Sequence, residues 1–95
     1  MNEGDIGIGS VVLSRKGRDK GDYLMVVSKA HGVVFLADGG ARKLSSPKRK
    51  NVKHVSDSGI KLDAIAAKLK EGQKVFDSEL KSALRQLKIG KGDQK

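Results

Sequence analysis

The stretch Gly9 to Val27, GSVVLSRKGRDKGDYLMVV, joins two apolar segments through nine residues dense in glycine and charge. Ser10 to Leu13 and Tyr23 to Val27 have the Val, Leu and aromatic content of strands, and turn-forming or charged residues bound them on both sides. The connection from Ser14 to Asp22 carries the cations Arg15, Lys16, Arg18 and Lys20 and two glycines, Gly17 and Gly21, suited to backbone positions with positive φ. A strand-connecting loop displays its side chains to solvent and to any ligand. An apolar frame with a cationic tip is therefore the first expectation.

Outward from this hairpin, Tyr23 to Val27 is apolar on both parities, and a strand apolar on both faces wants cover on both. Ser28 to Gly32 reads as a turn, and Val33 to Ala37 as a third strand of the same two-faced kind. Asp38-Gly39-Gly40 is a tight hairpin signal. It predicts a fourth strand around Ala41 to Ser45 and, after Ser46-Pro47-Lys48-Arg49-Lys50, a fifth around Val52 to Val55. Five short strands with turns this close together predict a small antiparallel barrel.

Ser56-Asp57-Ser58-Gly59 reads as a polar linker, and beyond it the apolar period changes from two to about 3.6. Leu62, Ile65, Ala66 and Leu69 share one face of a helix that Gly72 can end. Leu80, Ala83, Leu84 and Leu87 share a face of the next, with Asp77 placed as its N-cap. Isolated helices of this length are marginal, so they must pack on something, and the outer faces of the second and third strands are the available surface. The fold class is thus mainly β with a helical tail. A five-stranded barrel over 1–56 precedes a two-helix appendage over 57–95, with an acidic, glycine-rich lead before Gly9 and a frayed tail from Gly90.

Ninety-five residues suit one small domain with no buried pocket of enzyme size. The chain has no cysteine, which excludes disulfides and thiolate metal sites, and His31 and His54 are too few for a metal set. No catalytic constellation is found: Asp19, Asp22 and Asp38 stand alone in turns, and no Ser or Thr has an evident base. GRDKG lacks the spacing and terminal Lys-Ser/Thr of a P-loop. The expectation is a protein that is no enzyme and needs no cofactor. No long apolar run or signal-peptide pattern occurs, so a cytoplasmic monomer with no membrane partner is expected.

Twenty Lys and Arg against eleven Asp and Glu give a net charge of +9, a strong bias toward polyanionic partners. Through Ser56 the excess is +6, gathered in three bursts at Arg15 to Lys20, Arg42-Lys43 and Lys48 to Lys53, each in or beside a strand connection. Clustered cations suit phosphates, because each neutralised phosphate releases condensed counterions and the gains add. The helical lysines Lys61, Lys68, Lys70, Lys74 and Lys81 instead alternate with polar residues around a leucine stripe, as on a solvated face. His54 stands beside Lys53, where nucleic acid could reach it.

The run from Val11 to Val27 is similar to the KOW motif, the strand, basic glycine loop and strand of ribosomal proteins and transcription elongation factors. Its continuation, Val34-Phe35-Leu36-Ala37-Asp38-Gly39, then Arg42-Lys43, then Pro47 to Val55, resembles small bacterial KOW-domain RNA-binding proteins related to a eukaryotic and archaeal large-subunit ribosomal protein. The resemblance implies an SH3-like barrel that binds RNA, in particular rRNA of the large subunit or its precursor, in translation or ribosome biogenesis. Carried over by position, it assigns Arg15, Lys16, Gly17, Arg18, Lys20 and Gly21 to the KOW loop. Arg42, Lys43, Lys48, Arg49, Lys50 and Lys53 fall in the later basic segments. The chain lacks the long basic helical extension of the ribosomal relatives, so a transiently ribosome-associated factor fits as well as a stable ribosomal component. KOW domains of elongation factors also contact proteins, which makes an interaction module meeting a polymerase or ribosomal protein the alternative.

Overall fold

The computed structural model describes residues 6–18 and 20–93. Five strands, β1 (Ser10–Ser14), β2 (Tyr23–Ala30), β3 (Val33–Ala37), β4 (Lys48–Asn51) and β5 (Val55–Lys61), are followed by helices α1 (Asp63–Lys70) and α2 (Asp77–Asp93). The strands form one antiparallel sheet in the order β4-β3-β2-β1-β5. The expected mainly β fold with a helical tail is therefore present, but the barrel is not closed: β4 and β5 are its two edges. One turn of 3-10 helix, Val52–His54, carries the chain from one edge to the other.

The side-chain alternation of the strands explains why β2 and β3 are apolar on both parities. Val12, Leu24, Val26, Val34 and Leu36 point to one face and close on Ile6, Val52 and Val55. Val11, Met25 and Ala37 point to the other, where Ile65 of α1 and Leu80 and Leu84 of α2 cover them. Burying one such side chain is worth about 1.5–3 kcal/mol. That gain fixes helices which, alone, would scarcely form. The α1 helix ends as its glycine predicts, with Gln73 N donating to Lys68 O at 2.8 Å and Gly72 N to Leu69 O at 3.3 Å.

Several local expectations are corrected. No strand forms at 41–45, because the Asp38 carboxylate accepts from Gly40 N and Arg42 N at 2.8 and 2.9 Å, while Arg42 O accepts from the backbone of Asp38 and Gly39. That self-satisfied turn leaves little backbone for a ladder, and the fourth strand begins later, at Lys48. Val52 to His54 is a 3-10 turn, because Asn51 Oδ1 accepts from Lys53 N at 2.9 Å. The stretch read as a linker, 56–59, is the bulged middle of β5. There Ser58 Oγ donates to Val11 O at 2.6 Å, Asp57 Oδ1 accepts from Gly59 N, and the register jumps between Val11 and Val12.

Two further readings change. Ile6, placed in the lead, is a buried core residue. The α2 helix continues to Asp93 over most of the stretch read as a tail, with Gln94 and Lys95 outside the described residues. Its first residue is Asp77, whose Oδ1 does not cap the helix but accepts from Leu44 N at 2.7 Å.

Candidate nucleic-acid interface

The connection between β1 and β2 is closed at its base by Ser14 N donating to Asp22 O at 3.0 Å and Gly21 N to Ser14 O at 2.9 Å. Gly17 and Gly21 hold φ of 91° and 90°, a region that side chains disfavour, so the glycines set the loop's path. Arg15, Lys16, Arg18 and Lys20 are exposed. Among the described residues, none of these four side chains makes a hydrogen bond or ion pair, and Asp19 lies outside those residues.

Beneath the loop sits Lys50. Its register opposite Val34 turns its side chain to the inner face of the sheet, and the residue is only 8% exposed. Nζ donates to Ser14 Oγ at 2.9 Å and to Lys16 O at 2.7 Å, and Ser14 Oγ donates to the same Lys16 carbonyl at 3.0 Å. Lys50, expected among the phosphate contacts, is thus drawn inward: it ties edge strand β4 to the end of β1 and braces the loop. Hydrogen bonds from a charged donor of this kind are worth about 1.5–3 kcal/mol each.

A further bond, Arg15 N to His54 O at 2.9 Å, fastens the loop to the 3-10 turn. Exposed Lys53 and half-buried His54 therefore stand beside Arg15 and Lys16. The connection from Asp38 to Pro47 leaves the same end of the antiparallel sheet and carries exposed Arg42 and Lys43 toward the helix side. Lys48 is half-buried on the inner face. Arg49, paired with Phe35, is exposed on the outer one, away from the loop base. Of the expected contacts, Arg15, Lys16, Arg18, Lys20, Lys53 and His54 form one rim, Arg42 and Lys43 extend it, and Arg49 does not join it.

Two cations enter that were not assigned to the site. Lys81, read as part of a solvated face, and Arg85 lie on α2 beside a cleft shared with Asp22, Tyr23, Asp38 and Gly40. Their i,i+4 spacing placed them together on the helix, but only the docking of α2 against residues 38–41 puts them beside the loops. Away from this rim, Lys68 of α1 donates to Glu79 of α2 at 2.6 Å. That hydrogen bond, ahead of the attraction between the charges, holds the Glu79 carboxyl below its usual range although desolvation opposes it.

Among the described residues there is no group of three or more His, Asp or Glu able to hold a metal, and no helix long and apolar enough to cross a membrane. The chain matches no protein-family model and no curated protein.

Proposed function

We propose that the protein is a non-catalytic, cytoplasmic RNA-binding protein of KOW type. Its SH3-like sheet would hold basic loops against the phosphates of structured RNA, ribosomal RNA foremost, in translation or ribosome biogenesis. The observation that carries this reading is the braced loop: four exposed cations stand over a base fixed by buried Lys50, beside Lys53 and His54. A loop already ordered loses less freedom when it binds. Arginine adds bidentate phosphate contacts to the point charges of lysine. With Tyr23, Phe35 and Phe76 as its aromatic residues, the protein has little to stack on a run of bases, so backbone and shape would dominate recognition. A protein-interaction module would need an open apolar surface, and the outer face of the sheet is taken by the protein's own Ile65, Leu80 and Leu84.

Binding to a structured rRNA fragment, followed through a salt titration, tests the reading. Arg15→Ala with Lys16→Ala and Arg18→Ala should weaken binding at least about tenfold and lower the log-log salt slope by about 2 to 3. The matched triple Lys61→Ala, Lys70→Ala and Lys74→Ala should change little. Equal losses would mean that net charge alone drives binding. In-cell crosslinking with sequencing of the bound RNA, beside gradient sedimentation, would name the RNA.

A further inference from the structure

Next to the basic rim, a cleft of about 350 Å³ opens between the base of the β1–β2 loop, the 38–47 connection and α2. Tyr23, half-buried, and Leu84, buried, give it an apolar wall. Asp22 and Asp38 supply carboxylates, and Lys81 and Arg85 supply cations. Among the described residues, the side chains of Asp22, Lys81 and Arg85 make no hydrogen bond or ion pair. Asp38 spends Oδ1 on its turn, accepting from Gly40 N and Arg42 N. Four charged groups of both signs thus border one cleft without satisfying each other.

Resting on the RNA-binding reading, we propose that this cleft takes the guanine of one unpaired nucleotide of the bound RNA. Two carboxylates in a rim built for phosphate would repel it, so they suit a place that receives hydrogen-bond donors. Guanine alone among the four RNA bases has two adjacent donors, N1–H and the N2 amino group, on its pairing edge, and a carboxylate accepts both. Adenine and cytosine set an acceptor next to their amino group, and uracil flanks its one N–H with carbonyls. Asp22 is the reader, with both oxygens uncommitted, and Asp38 adds its second oxygen. The base lies against Tyr23 and Leu84, as unpaired RNA bases commonly lie on aromatic side chains. Lys81 and Arg85, one helical turn apart, take the phosphate. The volume falls in the range of small-ligand sites, about 300–1,000 Å³.

The test uses the whole protein, ¹⁵N-labelled, titrated with GMP, IMP and AMP, and then with an RNA hairpin whose single unpaired G is replaced by inosine or A. GMP should shift the amides of Asp22, Tyr23, Gly40 and Lys81, with IMP weaker and AMP about tenfold weaker, as a lost bidentate contact implies. The hairpins should rank in the same order, and Asp22→Asn should level them, so that the G hairpin loses its lead over the A hairpin. GMP and AMP acting alike, or cleft amides that do not move, would overturn the proposal. Hairpins bound equally whatever the base would overturn it too, while leaving the RNA-binding reading standing. GMP selected by a protein that binds no hairpin would overturn both, and assign the cleft to a free guanine nucleotide.

Discussion

The two long connections at one end of the sheet are both basic and both hold a glycine at positive φ, yet they are built differently. The β1–β2 loop is held from below, by Lys50 and by the His54 carbonyl, and its Arg15, Lys16, Arg18 and Lys20 are exposed. A Cβ added to Gly21 would meet nothing within 4 Å. The 38–47 connection is held from the side, by the Asp38 carboxylate within it and by Asp77 of α2 through Leu44 N. A Cβ on Gly39 would run into the Asp77 carbonyl and come within 2.9 Å of Lys81 N. One connection is thus free to present its side chains, whereas the other is part of the joint between sheet and helix. Similar composition does not imply similar duty.

Substitution at the two glycines probes that contrast most directly. Gly39→Ala combines a left-handed backbone with a collision against the first turn of α2 and should destabilise by about 3 kcal/mol or more. Gly21→Ala meets only the backbone penalty, about 1 kcal/mol. Urea unfolding of both would erase the distinction if the two losses were equal.

Lys50→Met comes next, since it keeps the length of the side chain and removes the ammonium. We expect about 2 kcal/mol of destabilisation, less than the two bonds together because the desolvation cost of the buried ammonium goes with them, and faster hydrogen exchange at the Ser14 and Gly21 amides. RNA affinity should fall with its salt slope unchanged, because a brace contacts no phosphate. A slope lower by about 1 would make Lys50 a phosphate contact after all.

The smallest effect lies away from both connections, at the pair joining α1 to α2. Glu79 has a folded pKa below its unfolded one, so its contribution to stability is present above the ordinary glutamate range and is lost as pH falls through the folded value. Lys68→Met should therefore flatten the acid limb of the stability curve slightly and leave neutral-pH RNA binding alone. An unchanged acid limb would show the pair to be energetically silent.

Much of this protein was legible because it is local. The β1–β2 hairpin, the two-faced strands β2 and β3, the leucine stripes of both helices and the stop at Gly72 depend on neighbours within a few residues. Alternation, helical period and turn chemistry report such neighbours directly. The departures in the strands and their connections share a cause: a polar side chain took the place of a backbone partner. Asp38 extends its turn to Arg42, where a strand is expected, Asn51 makes the 3-10 turn, and Ser58 and Asp57 carry a strand through a stretch with the composition of a linker.

The sequence alone determined that the chain would be strand-rich and then helical, basic at its connections, and covered on both sides of its central strands. Tertiary structure decided which cations stand outward together and which are withdrawn. Lys48, Arg49 and Lys50 are consecutive, yet strand alternation and the curl of the sheet send Arg49 to the outer face and bury Lys50 beneath a loop 34 residues earlier in the chain. Composition records that a charge exists, but its surroundings are set by segments distant in sequence, and those surroundings determine whether it braces the protein or meets a ligand.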